Sequence, residues 1–323
     1  MRHAAKATDD ESGIRSGIEA LPRARYLLAV SGGRDSMVLL HAFTRWRGDA
    51  VAVATFDHGT GAAAVRAARL AGREAERRGV PAVTGRSASA LAASEDAWRA
   101  ARWAFLAGSA RELSATVVTA HTRDDQVETI VMRALRDARH TSARGLAGMY
   151  AASPVARPLL DRSRASLAAY ARAHRVRFLE DPTNASRAYL RNRVRLDLLP
   201  ALERAHPGFA EAMLRLARQA ATWREEVECV IDALGITLLP TPALVVPAAA
   251  LSALSGEGLA VVWPALAARA GLTLDWRGTE RLVAFTARAA PGLRVPLAGG
   301  AEVHRTPTTF VLKAPRFPEP LYS

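Results

Sequence analysis

From Arg25 to about Arg136 the hydrophobic positions alternate between two rhythms. The runs Tyr26–Val30, Val51–Phe56, Val80–Thr84 and Ala115–Ala120 are apolar nearly throughout, the pattern of strands covered on both faces. Between them, Ser36–Trp46, Ala62–Arg78, Ser94–Leu113 and Arg123–Arg136 carry apolar residues three and four apart, which predicts helices. Strands alternating with helices predict βαβ units, a parallel sheet and right-handed crossovers that place helices on both faces.

Beyond Gly145-Leu146-Ala147-Gly148-Met149 the helical rhythm dominates, with segments near Ser163–His174 and Tyr189–Leu202. A His206-Pro207-Gly208 break precedes helices at about Phe209–Ala233, Gly256–Ala270 and Trp276–Ala287, and Leu293–Lys313 then alternates like a small sheet. A chain of 323 residues is long enough for about two domains at roughly 150 residues each. The expected organisation is a frayed leader over residues 1–24, a parallel α/β domain over 25–208 with a helical extension from about 150, and a smaller, mainly helical α+β domain over 209–323.

Composition changes this picture in three places. Half the residues are hydrophobic and 23% charged, a globular balance. The formal charge of +13 points to a polyanionic partner, nucleic acid first, although an arginine-rich composition can also be a solvated surface. Cys229 is the only cysteine, so one chain cannot build a disulfide, a cysteine zinc cage or an iron–sulfur cluster, which fits a reducing cytoplasm. The N-terminus has no apolar signal core, and runs such as Ala243–Leu254 are too short to cross a bilayer.

The first chemical signal is Ser31-Gly32-Gly33-Arg34-Asp35-Ser36, between the first strand and the first helix of the α/β pattern. Glycines allow a sharp turn and close backbone approach, Asp35 or Ser36 can cap the helix, and free helix N-terminal amides form an anion site. An ordinary strand–helix turn is the plain alternative. Gly59-Thr60-Gly61-Ala62-Ala63-Ala64 also matches a dinucleotide pattern, but the next strand ends in Gly85-Arg86 where that reading wants an acidic residue. Asp57, at a strand end, is a candidate magnesium ligand or a turn residue.

The second signal, His121-Thr122-Arg123-Asp124-Asp125-Gln126-Val127-Glu128-Thr129, opens the helix after the fourth strand. Asp125 and Glu128 are three apart on one helical face and can hold a cation or an ammonium group together, with Thr129 beside them. Thr122 and Asp125 can equally form a capping box, and capping is the expected role of Asp124. His121 is a candidate phosphate contact. Farther on, Arg191 and Arg195 lie one turn apart with Arg193 on another face, a fair pattern for RNA phosphates or for a solvated surface.

The glycine loop lacks the Gly-Lys-Ser/Thr ending of one familiar nucleotide fingerprint and the three spaced glycines of the other. It resembles the Ser-Gly-Gly-x-Asp-Ser loop of N-type ATP pyrophosphatases, whose fold is like that of adenine nucleotide α-hydrolases. With the Ala-His-x-x-Asp-Asp-Gln-x-Glu-Thr segment, the chain resembles the tRNA(Ile)-lysidine synthetases and the tRNA 2-thiocytidine synthetases. Glu180-Asp181-Pro182-Thr183-Asn184, leading to Arg191-Asn192-Arg193-Val194-Arg195 and Leu199-Pro200, is similar to the lysidine enzymes specifically. The resemblance covers most of residues 25–210.

It implies that ATP and Mg2+ bind at Ser31, Gly32, Gly33, Arg34, Asp35 and Ser36 with His121, with Asp35 serving the metal alongside Asp57, which its strand-end position makes a candidate. It also implies that Asp125 and Glu128 receive free lysine, and that Arg102 stabilises phosphate charge in catalysis with Asp35, Asp125 and Glu128. Arg191, Arg193 and Arg195 then meet an isoleucine tRNA with a CAU anticodon, the C-terminal domain adds RNA contacts, and a homodimer is compatible with the sequence. The chain departs from the family pattern at Thr122, often a second histidine, and at Arg136-Asp137-Ala138-Arg139, usually an Arg-Gly-x-Gly turn. A thiolase of the same superfamily and a noncatalytic RNA-binding protein are the competing readings.

Overall fold

The computed structural model describes residues 2–57, 59, 61–87, 95–136, 143–180, 185–239 and 243–314. Thr60, Ser94, Asp137–Arg139 and Asp181–Asn184, which figure in the sequence reading, lie outside them. The chain divides into two compact units, one of residues 1–132 and 153–215, the other chiefly of 133–152 and 216–321.

The first unit opens with a helix where a frayed leader was expected. Helix α1 (Arg2–Glu19) buries Ile14 and Ile18 completely in the main core. A Cβ on Gly17 would stand 2.1 Å from the Pro158 carbonyl oxygen, so glycine lets this helix lie against the chain there. Two apolar residues four apart, Ile14 and Ile18, outweigh the polar flanks once a partner surface exists.

The α/β pattern then unfolds as predicted: β1 (Tyr26–Ala29), α2 (Arg34–Trp46), β2 (Ala50–Asp57), α3 (Ala62–Arg77), β3 (Ala82–Arg86), α4 (Glu95–Glu112), β4 (Thr116–Val118) and α5 (Arg123–Arg136). The four strands are all parallel in the order β3-β2-β1-β4. Starting at β1, the chain crosses outward to β2 and β3 and returns to the other side at β4. The order therefore reverses between β1 and β4, and the carboxyl ends of those strands frame the crevice where open α/β sheets bind ligands.

Leu27, Leu28, Val53, Val117 and Val118 are fully buried, whereas edge strand β3 exposes Val83 and Thr84, contrary to the expectation of a doubly covered strand. On the other side, Ala156 pairs with Val118 and continues the sheet beyond β4. Helix α6 (Ala143–Leu146) belongs to the second unit, and α7 (Arg164–Ala173) returns to the first.

The predicted helix Tyr189–Leu202 is a run of three pieces: α8 (Leu190–Arg193), a π-turn over Val194–Leu198, and α9 (Leu199–Ala205). Helix α10 (Phe209–Ala233) leads into the second unit. There β5 (Thr237–Leu238), β6 (Ala243–Pro247), α11 (Ala248–Ser252), α12 (Gly256–Arg269), α13 (Trp276–Arg288), β7 (Arg294–Pro296), β8 (Glu302–Arg305) and β9 (Thr309–Lys313) follow. Its strands form an antiparallel sheet, β5-β6-β9-β8-β7, so the predicted small sheet gains two strands from before the helices. Trp263 anchors this separate core, its indole N–H donating to Thr286 Oγ1 at 2.8 Å.

Candidate active site at two strand ends

The loop after β1 is held by hydroxyls. Ser36 Oγ donates to the Gly33 carbonyl at 2.8 Å, accepts from the Ser31 amide at 3.1 Å and lies 3.1 Å from Ser31 Oγ. Ser36 therefore folds back on the loop, and no side chain caps α2, whose N-cap is Gly33. This differs from the predicted cap by Asp35 or Ser36, and it leaves the positive end of the helix open to an anion.

The two glycines serve different ends. Gly32 has φ +85° and would put a Cβ 2.4 Å from the Ala67 carbonyl oxygen of α3, so the fold itself demands glycine. Gly33 has φ −77° and ψ 161°, ordinary for any residue, and its nearest Cβ contact would be Ser31 Oγ at 3.6 Å. Among the described residues nothing excludes a side chain at 33.

Asp35 sits in the first turn of α2. Arg34 Nε bonds its Oδ1 at 3.0 Å, and Arg164 Nε lies 3.9 Å from Oδ2. Burial pushes its carboxyl above the usual range, opposed in part by Arg34 and Arg164. Asp57 stands apart: its Oδ1 accepts the Gly59 amide at 2.9 Å and its Oδ2 lies 3.5 Å from Arg86 Nε. These contacts of Asp57 are those of a turn residue. Among the described residues no three histidine, cysteine or carboxylate side chains gather as a metal-binding group.

At the end of β4 the sequence predicted a carboxylate pair, and the structure surrounds it with arginines. The Thr122 amide and hydroxyl donate to Asp125 Oδ2 at 2.9 and 2.6 Å, so the capping box forms. Asp125 Oδ1 faces Arg164 Nη2 and, at 3.3 Å, Arg191 Nη2. Glu128, 1% exposed, accepts from Arg191 Nε at 2.8 Å, from Arg195 Nε at 2.7 Å and Nη2 at 3.1 Å, and from Arg164 Nη1 at 2.5 Å.

Burial alone would raise both carboxyls, but the arginines outweigh it. Asp125 is held far below the usual range by Arg164 and Arg191, and Glu128 is lowered by hydrogen bonds from Arg195 and Arg164. Both stay charged, and both are poor proton acceptors.

Arg191 and Arg195, predicted to meet RNA phosphates, are therefore committed to Glu128, their one-turn spacing bringing both onto it across the π-turn. Arg193 points elsewhere and is exposed, as a surface RNA contact requires. Thr129 does not join the carboxylates; its hydroxyl donates to the Asp125 carbonyl in its own helix at 2.7 Å. Asp124 caps a helix, but not its own: its Oδ2 accepts the amide of Arg164 at the start of α7, at 2.9 Å.

Arg164 is the residue that sequence reasoning missed. It reaches Asp35, Asp125 and Glu128 together and so ties the loop after β1 to the helix after β4. A signal was present. Ser163 caps α7, which makes Arg164 its first residue, and a cation at the positive end of a helix is misplaced unless partners elsewhere require it.

Two further predicted residues line the same region. His121 Nδ1 lies 2.8 Å from Thr119 Oγ1, and burial, reinforced by Arg157, Arg191 and Arg102, pushes its pKa down to about 3, so it is a neutral hydrogen-bonding group at pH 7. Arg102 is pushed down to about 10 by burial and by Arg99 and Arg191, and stays charged at neutral pH. Its Nε, closed off from solvent, has no hydrogen-bond partner among the described residues. A buried guanidinium facing other cations, with no hydrogen bond to its Nε among the described residues, is suited to an incoming anion. The rival dinucleotide pattern finds no support here, since Arg86 leans on Asp57.

An open glycine loop at the switch point of a parallel sheet, faced by arginines, defines a nucleotide-binding α/β protein of the pyrophosphate-holding kind. Residues 7–202 match the PP-loop domain, an ATP-binding family, and the chain belongs to that family. It is similar to the tRNA(Ile)-lysidine synthase of Bradyrhizobium diazoefficiens, at 40% identity over 64% of this chain and 59% of that protein. The tRNA(Ile)-lysidine synthase of Thermus thermophilus is 37% identical over 91% of this chain and 58% of that protein. The chain thus spans just under 60% of the length of these curated relatives. Among solved structures, the U34-tRNA thiolase NcsA of Methanococcus maripaludis, determined with its iron–sulfur cluster, shares the fold at a TM-score of 0.55 and 14% identity, over 67% of this chain and 79% of that one.

Proposed function

We propose that this chain, like the tRNA(Ile)-lysidine synthases it is similar to, makes lysidine on an isoleucine tRNA, by joining lysine to the wobble cytidine through an adenylated intermediate. The observation that carries the reading is Arg164, which links the phosphate loop and the β4 carboxylates into one site. The cytidine ring oxygen attacks the α-phosphorus of ATP, and the bond to the β-phosphate breaks to release pyrophosphate. The lysine side-chain nitrogen then attacks the activated ring carbon, the carbon–oxygen bond breaks, AMP departs and the amine loses its proton.

The amides at the uncapped start of α2 hold pyrophosphate, with the neutral His121 as a hydrogen-bonding partner and Arg102 neutralising charge on the α-phosphate. Asp35, beside the open amides and carrying a single carboxylate, fits a magnesium ion that is held chiefly by the triphosphate. When bound, that ion would screen the leaving pyrophosphate.

Lysine is received at Asp125 and Glu128. Arg164, Arg191 and Arg195 already pair with both carboxylates, so lysine comes to the rim of this cluster, where the guanidiniums favour its uncharged, nucleophilic amine. Asp125 and Glu128, both held below the usual carboxylate range, are poor acceptors for the proton the amine loses, which therefore passes to solvent. Exposed Arg193, with Arg277, Arg281 and Arg288 along α13 of the second unit, supplies RNA contacts in the cytoplasm. A second copy of the chain is compatible with this scheme.

Incubation with ATP, radiolabelled lysine and a tRNA pool tests the proposal. Lysine transferred to RNA with stoichiometric AMP is the expected result. RNA binding without transfer would leave a noncatalytic binder, and label from a sulfur donor in place of lysine would make the chain a thiolase.

A further inference from the structure

A second cationic cavity lies on the helical face of the first unit. It measures about 240 Å³ and is lined by Met37, Leu40 and His41 of α2, Glu74, Arg77 and Arg78 at the end of α3, and His174–Arg177 after α7. Four guanidiniums and the Glu74 carboxylate line it, and a second carboxylate, Glu11, lies 3.2 Å from Nε2 of the lining His174. Glu74 is shared by Arg77 at 2.6 Å and Arg177 at 3.8 Å. Arg78 donates to Thr44 Oγ1 at 3.3 Å, and among the described residues neither it nor Arg175 reaches a carboxylate.

Neighbouring groups register the positive field. His41, bonded to the Tyr170 hydroxyl at 2.9 Å, has its pKa pushed down to about 4 by burial first and by Arg78 next. The rim is open, with the Arg77 and Arg177 side chains 56% and 67% exposed, which suits a chain passing over the surface better than an enclosed metabolite. From the pocket the strand of chain 175–179 runs to the catalytic loop, where the Leu179 amide donates to the Gly32 carbonyl at 3.0 Å.

We propose that this pocket, formed by Arg77, Arg78, Arg175 and Arg177, holds a phosphodiester of the RNA substrate's backbone, an inference that rests on the tRNA reading above. Phosphate contacts of this kind set the register of RNA on a protein without reading its sequence.

The test pairs Arg78→Gln, which keeps a donor for Thr44, with Arg175→Gly, which suits the left-handed backbone at φ 49°. Binding of labelled tRNA is measured across a salt series. The double variant should bind about tenfold more weakly at physiological salt, and its plot of log affinity against log salt should be shallower by about one. ATP affinity should stay unchanged, and Arg175→Lys should bind like the parent. An unchanged slope and affinity overturn the pocket while leaving the enzyme reading intact. A parent protein that binds no tRNA overturns both. Inorganic phosphate bound by the parent and lost in the variant, with tRNA binding unaffected, assigns the pocket to a free anion and also overturns it.

Discussion

The strand ends at β1 and β4 lie side by side and are built on opposite principles. After β1 the side chains withdraw: Ser31 and Ser36 turn onto each other and the helix begins uncapped at Gly33. After β4 the side chains crowd in: Thr122 caps, and three arginines close on two carboxylates. The open end offers backbone to an anion. At the crowded end arginines already engage both carboxylates, and Arg164 also reaches Asp35 at the open end. Preorganised charge of this kind costs no reorganisation when a triphosphate arrives.

The largest effect expected on the crowded side is that of Glu128→Ala. It strands buried guanidiniums and should lower unfolding free energy by about 3–5 kcal/mol in a denaturant titration. A loss below about 1 kcal/mol would mean that the cluster is solvated and the contrast false. On the open side, Gly32→Ala combines a positive φ with a backbone clash and should cost about 3 kcal/mol. Gly33→Ala should change stability by under about 0.5 kcal/mol while weakening ATP binding, which a calorimetric titration would read. Equal stability losses at 32 and 33 would remove the distinction between a glycine required by the fold and one required by the ligand.

Acid sharpens the contrast further. Asp125 and Glu128 have folded pKa values below their ordinary 3.8 and 4.5, so their stabilisation is complete above those values and fades as pH falls toward the folded ones. Asp35 is shifted the other way, so its contribution runs opposite. Asp125→Asn should therefore flatten the acid limb of stability against pH, measured by thermal melts, and should also raise the lysine requirement. The smallest effect on the crowded side is that of Thr122→Val, which removes the cap and should cost about 1 kcal/mol.

The α/β half was legible because doubly covered strands and amphipathic helices leave strong patterns. Each predicted strand and helix from Tyr26 to Arg136 is present within a few residues. Helix α1 was not, since Ile14 and Ile18 are too few to announce a helix without the surface they cover. Strands β5 and β6 are short, and Ala243–Pro247 reads equally as a buried helix turn.

At the site, the loop and the Asp125/Glu128 pair were legible from local spacing. The engagement of Arg191 and Arg195 was not, because Glu128 is more than sixty residues away in sequence and only the fold brings them together. Arg164 was missed for the same reason, although its place at the start of a helix was a local clue.

The most direct measurement is pyrophosphate release from ATP in the presence of tRNA by Arg164→Lys. Lysine keeps the charge and the fold but cannot fork between Asp35, Asp125 and Glu128. If the two strand ends work as one site, release should fall by about a hundredfold or more while tRNA binding persists; release at the parent rate would contradict the account.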